Sequence, residues 1–178
     1  LFIATILSTI LAGALNSGGN PFEHFADLLL GVPFSLSIMA ILTCHELGHY
    51  FMSRREGLVT TLPYFIPMPL HFLGTFGAII RMRSIVPSRR ALLKVGMSGP
   101  IAGFLVALPI TLLGIYLSEV RVAPATEGFL RLGDSLLFWL LAKIVHVDIP
   151  AGHDLFLHPV AFAGWLGMFV TAMNLVPV

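Results

Sequence analysis

LLLGVPFSLSIMAILTCHELGHYFMS, residues 28–53, is the stretch on which the fold turns. Its first seventeen residues, 28–44, carry no charge; three ionisable groups, His45, Glu46 and His49, then fall within five positions. A helix that crosses a bilayer needs about 20 mostly apolar residues, and this stretch supplies them. Pro33 falls in the first turns, where its missing N–H costs least. Helix positions i and i+4 share a face, so the imidazoles of His45 and His49 can bind one metal ion. Glu46 is rotated away from them, placed to take a proton from a metal-bound water and to return it to a leaving amine. Ionisable groups inside a span are costly and are usually functional. The bland alternative is a polar cluster that packs spans together or binds metal without turnover.

The rest of the 178-residue chain agrees with a membrane setting. It is 57% hydrophobic and 11% charged, whereas soluble domains carry about a quarter charged residues. The fold class expected is an all-α polytopic membrane protein with about four membrane segments: residues 1–15, 28–53, 95–118 and 159–178. The first and last are short, and both chain ends fall inside apolar runs. The chain is therefore expected to be a single membrane-embedded core belonging to a longer protein. Residues 57–80 contain no Asp, Glu, Lys or Arg, yet hold Pro63, Pro67, Pro69, Gly74 and Gly77. Such a segment breaks a helix. It is expected as a re-entrant, β-hairpin-like loop shielded by protein, with residues 75–82 (TFGAIIRM) as a strand. Residues 135–147 are expected as a helix lying at the membrane interface, since Lys143 and His146 interrupt it and Trp139 favours that depth.

Net charge is +1, no long basic run suggests nucleic acid, and Cys44 has no partner for an internal disulfide. The distribution of charge is more telling. Seven of the ten Lys and Arg residues (Arg54, Arg55, Arg81, Arg83, Arg89, Arg90 and Lys94) lie between the second and third segments. The positive-inside rule places that connection, and with it the metal motif, at the cytoplasmic face. Alternation then brings residues 174–178 to the depth of residues 45–49. It sends His153, Asp154 and His158 to the opposite side, as a solvated loop. His71 is on the motif's side but reads as an interfacial polar contact, and Cys44 as a small core residue.

HELGHYFMSRREG, LPYFIP, GTFGAIIRMRS, SRRALLKVGMSGPIAGF and LHPVAFAGWLGMFVTAMNLVPV together resemble the site-2 protease family of intramembrane zinc metalloproteases. The likeness runs from about Ile38 to the end, less distinctively over residues 116–149. It is greatest to the bacterial and plastid branch that has no PDZ domain inserted here. The resemblance implies Zn2+ as cofactor, His45 and His49 as its ligands and Glu46 as catalytic acid/base. It also implies Asn174 and Pro177 as part of a second motif near the metal, and a third ligand, an Asp, beyond Val178. Asn174 can donate to an oxyanion or a substrate backbone, or can cap the end of its own helix. Gly74, Thr75, Phe76, Gly77 and Ala78 suggest an edge strand that receives an unwound substrate, or a packed hairpin with glycines for close approach. Gly48, Gly99, Pro100 and Gly103 read as close helix packing.

The expected partners are a transmembrane protein substrate and the lipid bilayer, in a bacterial inner membrane in preference to a plastid one. The expected activity is cleavage of peptide bonds in or near membrane spans, as in regulated intramembrane proteolysis. Two rivals stay open: a non-catalytic protein that binds substrate or metal on the same scaffold, and a metalloprotease of another class with a downstream glutamate ligand.

Overall fold

A computed structural model describes residues 1–69, 71–85, 87–122, 136–145, 150 and 152–175. In chain order the elements are helix α1 (Phe2–Asn16), a 3-10 turn (Phe25–Gly31), α2 (Val32–Arg55), strands β1 (Tyr64–Pro67) and β2 (Thr75–Ile79), α3 (Arg89–Tyr116), β3 (Glu119–Val122), α4 (Leu136–Ile144), β4 (His153–Phe156) and α5 (Pro159–Met173). The centre is a cluster of α2, α3 and α5, with α1 and the β1–β2 hairpin laid against α2.

Two helical stretches, Phe25–Arg55 and Arg89–Tyr116, are long and apolar enough to cross a membrane. α1 and α5 have 15 residues each, short of the usual span. The architecture shown is thus mostly helical with two candidate spans, where the composition suggested about four.

Local chemistry explains the ends of these helices. Pro33 occupies the first turn of α2, and Arg54 and Arg55 stand in its last, next to the carbonyl end of the helix dipole. Ser88 caps α3 by accepting from the Ala91 N–H at 3.2 Å. Within α3, Pro100 and Pro109 each remove one helical hydrogen bond. The Thr111 hydroxyl donates back to the Ala107 carbonyl at 2.7 Å, which satisfies this buried polar group inside its own helix. His158 caps α5 through Nδ1, which accepts from the Val160 N–H at 3.3 Å.

Two apolar clusters knit the helices together. Phe34, Ile38, Met39 and Leu42 of α2 meet Phe65 of the hairpin and Ala163 and Leu166 of α5. Ile41, Ala107, Ile115, Leu141 and Met168 join α2, α3, α4 and α5. α1 is held by polar contacts: Thr9 and Ser35 share a hydroxyl–hydroxyl bond of 2.7 Å. Ser8 donates to the Gly74 carbonyl at 2.6 Å and the Asn16 amide to the Phe72 carbonyl at 2.8 Å, so α1 grips the hairpin turn. Where α1 crosses the start of α2, a methyl on Gly31 would overlap the Ile10 carbonyl and stand 2.6 Å from the Ala14 nitrogen. Gly31→Ala should therefore destabilise the fold by about 1–3 kcal/mol, the usual cost of overpacking. Denaturant unfolding of the detergent-solubilised protein checks this.

The hairpin is antiparallel, pairing Tyr64 with Ile79, Phe65 with Ala78 and Pro67 with Thr75, with an irregularity between Phe65 and Pro67. An isolated bridge between Thr60 and Met82 prolongs it. Strand β2 is thus the first part of the strand expected over residues 75–82. Gly74 and Gly77 have φ of +72° and +87°, values that favour glycine. The expected helix over residues 135–147 is α4, with the Lys143 ammonium 4.0 Å above the Trp139 ring.

The expectation of an all-α chain with a plain outer loop needs correction, because β3 and β4 pair antiparallel, Glu119 with Phe156 through Val122 with His153. His153 and Asp154 lie on that strand. The reason is pairing across residues far apart in sequence, which leaves no local signature in four-residue strands.

Candidate metal centre

His45 and His49 project from one face of α2, and their Nε2 atoms are 3.2 Å apart. His45 is almost wholly buried, with 1% of its surface exposed. The Nδ1 of His49 donates to the Val95 carbonyl of α3 at 2.7 Å. A neutral His49 in that tautomer presents a lone pair at Nε2, directed at the Nε2 of His45. Two nitrogens held by one zinc at about 2.0–2.1 Å in a tetrahedron are about 3.3 Å apart. The pair is therefore spaced as two ligands of a single tetrahedral cation. Glu46, half-buried, lies on the neighbouring part of the helix.

This geometry depends on glycine. A methyl on Gly99 would overlap the His49 ring, and one on Gly103 would stand 3.0 Å from both Cβ and Nδ1 of His45. A methyl on Gly48 would stand 2.5 Å from the Ser98 carbonyl oxygen and 2.9 Å from Cβ of Ala102. Close packing by these glycines agrees with the sequence reading, which missed its consequence: Gly99 and Gly103 form the floor under the two imidazoles. The four-residue spacing of Gly99 and Gly103, matching that of the histidines, was the available signal.

Asn174 closes the site from the end of α5, its Nδ2 2.9 Å from the His45 Nε2. The contact seen, with the imidazole, is neither of the two roles expected of its side chain, and it brings residues 174 and 45 together. Pro177 lies outside the described residues.

Other candidates fall elsewhere. His71 stands against Phe72 and Phe76, and its Nδ1 accepts from the Leu73 N–H at 3.3 Å. His158 begins α5 and is roughly 24 Å along that helix from Asn174. Among the described residues no group of three His, Cys, Asp or Glu side chains could hold a metal, so the centre contains two ligands there. The stretch from Gly74 to Ala78 holds β2 and the turn before it. Among the described residues, β2 has a strand neighbour on one side only.

The sequence profile of peptidase family M50 matches residues 33–178. The chain belongs to peptidase family M50. This is the site-2 protease family that the motifs resemble. Among curated M50 relatives, "Probable zinc metalloprotease EGY2, chloroplastic" of Oryza sativa subsp. japonica is 32% identical over 185 residues, covering 98% of this chain and 32% of that protein. "Probable zinc metalloprotease EGY1, chloroplastic" of Arabidopsis thaliana is 34% identical over 160 residues, covering 86% of this chain and 28% of that protein. The chain spans about a third of the length of these relatives. No solved structure matches it.

These relatives are chloroplastic, which overturns the expected bacterial inner membrane and points to a plastid membrane. The physical reason is that a bias of Lys and Arg orders the two sides of a bilayer without naming the bilayer. The arginines define a basic side of this M50 chain, and the cytoplasmic label falls with the bacterial one.

Proposed function

We propose that the protein is a zinc endopeptidase that cleaves peptide bonds in or beside the membrane spans of other proteins, in regulated intramembrane proteolysis. The observation that carries this is the pair of imidazole nitrogens 3.2 Å apart on an apolar helix long enough to cross a bilayer. In this reading α1, α2, α3 and α5 are membrane segments of one catalytic core, and the β1–β2 hairpin is re-entrant. His45 and His49 are ligands, with the third supplied from beyond Val178. Bound zinc supplies an acidified water and polarises the scissile carbonyl. Glu46 takes the proton of the attacking water and delivers it to the leaving amine. Asn174 donates a hydrogen bond to the substrate carbonyl as negative charge gathers there. The open edge of β2, over Thr75 to Ala78 with Gly74 at its start, pairs with the unwound substrate and satisfies backbone groups that lipid cannot.

A second reading, a non-catalytic scaffold, is favoured by one observation: two ligands and not three among the described residues. Metal analysis tests the proposed centre, and turnover tests the scaffold reading. Purified full-length protein should carry one zinc per chain, and His49→Ala should lose it. A zinc-free wild type, or a His49→Ala protein that keeps its zinc, contradicts the proposed centre.

A further inference from the structure

A cavity of about 120 Å3 lies between α2, the hairpin and α5, lined among others by Ile38, Leu42, Thr75, Phe76, Gly77 and Val170. Ile38, Leu42 and Glu46 are spaced by four and form one stripe of α2. Val170 stands four residues before Asn174, whose amide meets His45. Both helices therefore carry the cavity one turn, roughly 5.4 Å, from groups at the metal centre. The third wall is β2, the strand with an open edge.

The lining selects an occupant. No carboxylate, lysine or arginine faces the cavity. The Thr75 hydroxyl is already committed, donating to the Ile66 carbonyl at 2.8 Å and accepting from the Gly77 N–H at 3.0 Å. The one ionisable side chain in the lining is His71, whose ring lies against Phe72 and Phe76 and whose Nδ1 already accepts from the Leu73 N–H. A lysine or arginine guest would find no counter-charge there, and burying it unpaired is costly. Size narrows the choice further. A dry cavity of about 150 Å3 accepts a benzene ring, so this smaller one suits a branched aliphatic side chain and is too small for an indole.

We propose that this cavity is a substrate side-chain pocket: a peptide strand lying along β2 inserts an uncharged aliphatic side chain the size of Val or Leu between Leu42, Gly77 and Val170. An extended strand advances roughly 3.3 Å per residue, so the inserted residue lies within about two positions of the bond cut. The inference rests on the protease reading and adds the side chain that selects the bond.

The test uses full-length protein in vesicles and a single-span substrate varied to Ala, Val, Leu, Phe, Trp or Lys at each of the two positions on either side of the cut. At one position wild type should prefer Val and Leu over Trp and Lys by about 10–100-fold in kcat/KM. Val170→Phe fills the pocket and should lower cleavage of Val and Leu substrates relative to Ala substrates by about 10-fold or more. Val170→Ala enlarges it and should admit Phe at that position; this variant decides the matter alone if Val170→Phe does not fold. Cleavage with the same side-chain preference in wild type and both variants overturns the pocket and leaves the protease reading standing. Absence of any cleavage by wild type overturns both.

Discussion

Gly99→Ala should cost the protein its zinc while the helices stay folded. The added methyl would overlap the His49 ring, which lies directly on Gly99. Retreat of α3 would also open the close packing of Gly48 against the Ser98 carbonyl, one residue from Gly99. The soft response is rotation of the imidazole, which breaks the 2.7 Å bond from Nδ1 to the Val95 carbonyl and turns Nε2 away from His45. Loss of an orienting partner typically lowers metal affinity about 10–100-fold. Gly96 lies on the same helix, and a methyl there meets nothing within 4 Å, so Gly96→Ala is the matched control. It should bind zinc as wild type does and, if anything, favour the helix. Equal zinc affinity in Gly99→Ala and wild type would show that the glycine floor does not hold the ligand.

Glu46→Gln should separate binding from catalysis. Glutamine keeps the shape of the side chain but cannot accept the proton of an attacking water. Neither ligand is touched, so zinc content should stay at the wild-type level. Turnover should fall by about 10²–10⁴-fold, the usual contribution of a positioned acid–base group. Single-turnover cleavage at matched zinc occupancy measures this. Loss of zinc along with activity would instead assign Glu46 to the metal's coordination.

How much of this was legible in the sequence follows from the range of each interaction. His45 and His49 are four residues apart on a helix, so their convergence is a local property and could be read directly. The density of prolines and glycines between residues 57 and 80 excludes a helix there, and β1 and β2 form instead. The pairing of β3 with β4, by contrast, joins residues more than thirty positions apart through short strands whose composition says little. The same holds for the groups that orient the imidazoles. The Val95 carbonyl and Gly99 act on His49 from another helix, and their roles appear only once α2 and α3 are packed. Asn174 is an intermediate case: its place near the motif was expected from the sequence, and its partner, His45, appears only with α5 packed against α2. The identity of the membrane was beyond reach, since any bilayer with a basic side yields the same pattern of arginines.

The most direct measurement is mass-spectrometric mapping of the products formed when full-length protein and its Glu46→Gln variant act on a single-span substrate in vesicles. The wild type should cut in or beside the apolar span, and the variant should leave the substrate intact over the same interval. Cuts made equally well by both proteins, or confined to soluble segments far from the bilayer, would contradict a zinc centre at His45 and His49 working on membrane spans.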